Sequence, residues 1–301
     1  MDKKFIARFP EMAEQIFSEL NNEDLIQSKE VDKAWCDLID QRLVWKRMIQ
    51  SSTKHVEDFK FEFNLVLKKM PSDILKKFAL VCYKSKHLNK KLSPLHIIAF
   101  CGDHLLYKYI LEKSSDKNPK IRTEDFCQGQ TPFHYAASYN NLEIVKFYIE
   151  HDENKNPKDC KDSTPLHQAA YKGNLEICKL IVLEVADKNP RSKSGFTPLH
   201  RAARNGHFEV YKFIAERVEE KNPSDNEGTT PLHMAARFGH SEVYKFIAER
   251  VNEKNPLDNE EKTPLHEAIV NGHLHILPIY LDILGIENPT LTEPEAKRRR
   301  K

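Results

Sequence analysis

A four-residue motif returns along this chain at a nearly fixed interval, and that interval constrains the fold more than any other feature. Ser93-Pro94-Leu95-His96, Thr131-Pro132-Phe133-His134, Thr164-Pro165-Leu166-His167, Thr197-Pro198-Leu199-His200, Thr230-Pro231-Leu232-His233 and Thr263-Pro264-Leu265-His266 carry prolines spaced 38, 33, 33, 33 and 33 residues apart. An Asn-Pro pair follows each of these prolines by 25 residues, ending at Pro119, Pro157, Pro190, Pro223, Pro256 and Pro289. The five extra residues of the first period fall between Pro119 and Thr131, where they lengthen a loop. A period of this length marks a small helical unit that cannot bury its apolar face alone and needs neighbours stacked on it.

Each position in the unit has a mechanical reason. The Thr or Ser is an N-cap whose hydroxyl satisfies a free backbone N–H, and proline at the first helical position loses nothing by lacking one. An alanine pair follows, such as Ala202-Ala203, small enough to let neighbouring helices approach closely. Gly206-His207, Gly239-His240 and Gly272-His273 end the first helix, with glycine free to turn left-handed. In Phe208-Glu209-Val210-Tyr211-Lys212-Phe213-Ile214 the apolar residues recur at the spacing of a second helix, and Asn-Pro then stops it.

The stretch Asp225-Asn226-Glu227-Gly228-Thr229-Thr230-Pro231-Leu232-His233-Met234-Ala235-Ala236-Arg237-Phe238-Gly239-His240 resembles the ankyrin-repeat pattern nearly throughout. The resemblance covers roughly residues 90–290, about two thirds of the chain. It implies an all-α solenoid of six repeats, each a pair of antiparallel helices, joined by protruding hairpins. Asp162 and Glu261 stand where the hairpin glycine is expected, and Asn140-Asn141 replace the Gly-His pair, so those turns are expected to be less regular. Both ends of such a stack need caps. Phe59, Phe63, Val66 and Leu67, then Ile74, Leu75, Phe78 and Ala79 after Pro71, predict two helices over 55–85, within a 51–89 bridge that reads as a degenerate repeat or cap. At the other end Ile276, Ile279, Tyr280, Ile283 and Leu284 predict a last helix with Pro278 in its first turn.

Residues 1–50 do not follow the repeat. Phe9-Pro10-Glu11-Met12 leads into Ile16-Phe17 and Leu20, then Leu25, Val31-Asp32-Lys33-Ala34-Trp35 and Leu43-Val44-Trp45. This resembles an F-box, with Phe9 in place of the usual leucine. The resemblance implies that Phe9, Pro10, Met12, Ile16, Phe17, Leu20, Leu25, Val31, Trp35 and Trp45 form the core and the surface that docks on the Skp adaptor of a cullin ubiquitin ligase. So short a segment with this many large apolar side chains is a marginal core by itself and seeks a partner. The alternative is a helical cap folded back on the array.

Composition excludes more than it selects. The formal net charge is only +2, so bulk charge points to no acidic partner such as nucleic acid. No apolar run approaches the length of a membrane span. Cys36, Cys82, Cys101, Cys127, Cys160 and Cys178 are scattered without a Cys-x-x-Cys pair, and no secretory leader is read, so reduced thiols in an intracellular protein are expected. The 14 histidines lie mostly one repeat apart, about 10 Å in a helical stack. That is too far to share an ion whose ligand bonds are about 2 Å, so they are expected to bond neighbouring backbone. No phosphate loop, zinc-protease motif or nucleophile elbow appears; the chain is expected to be no enzyme and to need no cofactor.

The positions that follow each motif histidine or alanine pair carry more information. The resemblance places Tyr135, Tyr139, Tyr171, Lys172, Arg201, Arg204, Met234, Arg237 and Phe238 on the binding groove, with Phe196 on a hairpin. Aromatics and arginines dominate interface hot spots, so the groove is expected to hold a partner segment with acidic or phosphorylated residues. The closing residues 291–301, ending Lys297-Arg298-Arg299-Arg300-Lys301, read as a disordered basic tail, either a nuclear localisation signal or a solubilising end. Cytoplasmic or nuclear residence is expected. Taken together, the resemblances imply a substrate-recognition adaptor of a Skp–cullin–F-box ubiquitin ligase. Two alternatives stay open: an ankyrin scaffold or inhibitor without a ligase link, and a viral or bacterial effector that borrows a host ligase.

Overall fold

A computed structural model describes residues 92–113, 118–121, 129–152 and 154–286. The F-box-like segment, the 51–89 bridge and the basic tail lie outside the described residues. Those described are all-helical, with twelve helices and no strand. They fall into two compact units, divided between residues 144 and 145.

The first unit holds α1 (Pro94–Cys101), α2 (His104–Lys113) and α3 (Pro132–Ser138). Helix α1 packs on both α2 and α3. The boundary falls inside α4 (Leu142–His151). The second unit continues with four helix pairs: α5 (Pro165–Lys172) and α6 (Leu175–Glu184), α7 (Pro198–Arg204) and α8 (Phe208–Ala215), α9 (Pro231–Arg237) and α10 (Ser241–Ala248), α11 (Pro264–Val270) and α12 (Ile276–Ile283). Within it the first helices stack on one another as α5, α7, α9 and α11, and the second helices as α6, α8, α10 and α12. The alanine pairs are fully buried between the first helices, as are Leu166, Leu199 and Leu232. A methyl side chain is what allows helices to pack at the short end of the usual 8–10 Å. The final pair leaves Ile269, Val270 and Leu274 exposed.

The first helices that open on threonine start the same way, and the histidine does more there than the threonine hydroxyl. In α7, Thr197 is extended (φ −116°, ψ 168°) and Pro198 opens the helix. The Thr197 N–H donates to His200 Nδ1 at 3.1 Å, and the Thr197 hydroxyl lies 3.0 Å from the same nitrogen. Because Nδ1 accepts from a backbone N–H, the ring carries its proton on Nε2, which donates to the Thr229 carbonyl at 3.0 Å. One side chain thus caps its own helix and ties it to the next hairpin. His167 reaches the Phe196 carbonyl and His233 the Lys262 carbonyl in the same way; in the first unit His96 reaches Gln130. Burial pushes His96 and His200 down to about 4, so both are neutral at physiological pH. Among the described residues no group of His, Cys, Asp and Glu is placed to hold a metal ion.

Gly206 is required twice over. Its φ of 70° is left-handed, and a Cβ there would lie 2.5 Å from Nδ1 of His240, which packs on the glycine from the following repeat. His240 Nε2 donates in turn to the Arg204 carbonyl at 3.0 Å, closing an orphan acceptor at the end of α7. The sequence-based expectation of less regular turns at the substituted positions is corrected. Asp162, Glu261 and Asn140 adopt φ of 56°, 59° and 60°, the same left-handed turn as the glycines, and Asp and Asn are the side chains that visit it most readily. Asn141 takes the histidine's role as well: its Nδ2 donates to the Phe100 carbonyl at 3.0 Å.

The hairpins of the second unit form a ladder. Asp225 Oδ1 accepts from the N–H groups of Glu227 and Thr229 at 2.9 and 2.8 Å, which fixes the fifth tip, and Asp159 and Asp258 fix the third and sixth in the same way. Successive tips are then bonded together: Lys193 N–H to the Lys161 carbonyl, Asn226 N–H to Ser194 and Asn259 N–H to Glu227, at 2.9–3.1 Å. Side-chain amides of Asn226 and Asn259 add bonds to the carbonyls of Lys193 and Asn226.

Candidate protein-binding face

The first helices expose the residues that follow the buried histidine and alanines, because a helix that buries one stripe must present the other. In the second unit this stripe is a chain of cations laid on aromatic rings. The Arg201 guanidinium lies 5.9 Å from the Tyr171 ring centre and 5.4 Å from that of Phe196. Arg204 lies 5.2 Å over Phe238, and Lys172 5.5 Å over Tyr171. Tyr171 and Phe238 are 37% and 39% exposed, so each ring has surface to offer a partner beyond its cation contacts. Burial, then the neighbouring Arg204, lowers the pKa of Arg201, though it stays charged. In the first unit the corresponding stripe is aromatic without cations: Phe100 meets Tyr139 edge-on at 4.4 Å, and Tyr139 stacks on Tyr135 at 6.1 Å.

Three of the sequence-derived positions differ from expectation. Met234 and Tyr135 are buried, at 4% and 8% exposure. Neither offers a partner more than a sliver of surface; the Tyr135 ring is packed against His96 and stacked on Tyr139. Arg237 is not a free cation. Its Nε and Nη2 donate to the two carboxylate oxygens of Glu267, each at 2.8 Å. This fork raises the pKa of Arg237 and holds the Glu267 carboxyl below the usual range, so both stay charged and satisfy each other. Tyr139, Tyr171, Lys172, Arg204 and Phe238 are exposed, Arg201 and Phe196 half-buried, and Phe196 sits on the fourth hairpin as expected. The Skp-adaptor set from Phe9 to Trp45 lies outside the described residues.

Two residues of the face escaped the sequence reading. Phe100 is packed on Tyr139; it sits two positions before Gly102, the place Tyr171 holds before Gly173, so periodicity would have found it. Glu267 sits 33 residues after Met234, in the position of Arg201. Its significance appears only with its partner across the repeat boundary. No helix among the described residues is long and apolar enough to cross a membrane.

This geometry matches what comparison with known families finds. A model of ankyrin repeats (3 copies) matches residues 65–159, 133–225 and 217–288, the first match opening inside the 51–89 bridge. No curated protein matches the chain.

Proposed function

The chain belongs to the ankyrin-repeat family, and from that premise we propose that it is a substrate-recognition adaptor: its repeats capture a protein segment bearing carboxylates or phosphates, and residues 1–50 join it to a Skp–cullin ubiquitin ligase. Ankyrin repeats bind protein partners and are generally non-catalytic. The observation that carries the acidic-segment reading is the series Lys172, Arg201 and Arg204 held against Tyr171, Phe196 and Phe238. Guanidinium groups bind carboxylate and phosphate through paired hydrogen bonds, and rings already ordered by a cation lose little entropy on binding. The ligase link rests on Val31-x-x-x-Trp35 and Leu43-Val44-Trp45 with the apolar residues before them. The mechanism is proximity. A target held on the repeats presents its lysines to the charged enzyme at raised effective concentration. The basic tail is part of the same reading, as a signal that takes the adaptor into the nucleus.

Two measurements on the full chain test this. Binding to a purified Skp adaptor, abolished by Phe17→Glu with Leu20→Glu while the helical circular dichroism persists, supports the ligase link. A folded chain that does not bind any Skp adaptor leaves an ankyrin binding protein without it. Arg201→Glu with Arg204→Glu is expected to abolish binding of a glutamate-rich or phosphoserine peptide; unchanged binding would refute the acidic-segment reading alone.

A further inference from the structure

The second unit's face changes sign along its length. The fourth repeat's hairpin and first helix, 191–204, hold Arg191, Lys193, Arg201 and Arg204 and no carboxylate. The fifth, 224–237, holds Asp225, Glu227 and Arg237, and the sixth, 257–270, holds Asp258, Glu260, Glu261 and Glu267 against one lysine, Lys262. Local pairing trims both ends without removing the contrast. Arg191 is turned to Glu220 at 3.6 Å, leaving Lys193, Arg201 and Arg204 on the basic end. Glu267 neutralises Arg237, which removes the one cation of the fifth repeat that would blur the acidic end. Lys262 pairs with Glu260, and Glu227, Glu260 and Glu261 are all exposed.

Both ends are held in register. The fourth, fifth and sixth hairpins are bonded tip to tip through Asn226 and Asn259, and Arg201 bridges the fourth hairpin to its helix by lying on Phe196. The charges therefore sit on a stiff frame, with two repeat steps of about 10 Å between the basic and acidic ends. An extended chain covers that span with about six residues.

We infer that this face binds a segment carrying two charge blocks, carboxylates or phosphates over the fourth repeat and lysines or arginines about six residues away over the fifth and sixth, so that the array fixes which end of the segment lies where. The inference rests on the acidic-segment reading above and adds the second block and the orientation. A uniformly acidic segment long enough to reach the sixth repeat meets Glu227, Glu260 and Glu261 and is repelled there. Phe238, on the fifth repeat, supplies sequence-tolerant anchoring between the blocks, and Tyr171, on the third, does so beside the basic end.

The test uses the full chain and two synthetic peptides of equal length: one with a glutamate block, about six neutral residues and a lysine block, the other with glutamates in both blocks. At low ionic strength the two-block peptide is expected to bind about fivefold more tightly, a margin that shrinks at high salt. A nitroxide at its glutamate end is expected to broaden the NMR signals of Lys193, Arg201 and Arg204, and one at its lysine end those of Glu227, Glu260 and Glu261. Glu260→Lys with Glu261→Lys, both exposed hairpin residues, is expected to reverse the preference between the peptides. Equal or tighter binding of the all-glutamate peptide, or a nitroxide that broadens both ends of the face from either position, overturns the inference and leaves the acidic-segment reading in place. Failure of both peptides to bind overturns both.

Discussion

Replacing Gly206 with alanine tests whether a glycine in this array is there for its own backbone or for its neighbour. Its left-handed φ of 70° alone costs an alanine about 1 kcal/mol. The added Cβ also lands 2.5 Å from Nδ1 of His240, so the imidazole must move. That movement breaks the 3.0 Å bond from His240 Nε2 to the Arg204 carbonyl, worth about 1 kcal/mol, and disturbs packing between α7 and the turn before α10. The expected total is about 3 kcal/mol. Gly272 supplies the control: its φ is 77°, but nothing lies within 4 Å of its Cβ position, so Gly272→Ala should cost only about 1 kcal/mol. Urea denaturation of the full chain, followed by circular dichroism, measures both. His240→Ala removes the obstacle, and in that background Gly206→Ala should fall to the cost seen at Gly272, a coupling of about 2 kcal/mol. Equal losses for the two glycine variants, or simple additivity of Gly206→Ala with His240→Ala, would refute the reasoning.

Three further outcomes follow from the same contacts. His96 and His200 are neutral when folded down to about pH 4 but titrate near 6.5 when unfolded. Above 6.5 they leave stability unchanged; between 6.5 and 4 only the unfolded chain gains the proton, so stability falls with pH, then levels off. Each should remove about 2 kcal/mol at pH 5 relative to pH 7, read by urea denaturation, and His200→Gln should flatten that dependence. Asp162→Gly with Lys193→Asn restores the pairing seen where Asn226 packs on Gly195 and Asn259 on Gly228; it should stabilise the chain by about 1 kcal/mol and raise Tm in a thermal melt. Glu267→Gln loses the charged fork to Arg237, should cost about 1 kcal/mol, and frees the guanidinium, so a glutamate-rich peptide should bind more tightly by titration calorimetry.

Periodicity alone determined most of this architecture. Thr-Pro-Leu-His placed the start of every first helix, because a cap, a proline without an N–H and a buried leucine are local requirements that the chain states in four consecutive residues. Among the described residues the recurrence marked six helix pairs and the need to stack them, and the same spacing keeps the motif histidines one repeat apart. The exposed aromatics and cations could be named for the same reason: a residue one period on occupies the same place in its own helix. What the sequence could not supply was the content of contacts across the period. That Asn140, Asp162 and Glu261 turn as the glycines do, that His200 bonds a carbonyl 29 residues away, and that Met234 and Tyr135 are buried appears only in the folded array. The pairing of Arg237 with Glu267, 30 residues on, is the clearest case. The sequence counted a free cation in the binding face; the stack places a carboxylate against it and so turns a basic stripe into a face with two signs. Local capping is written in short-range chemistry, whereas the charge that a partner meets is a sum over side chains that only stacking brings together.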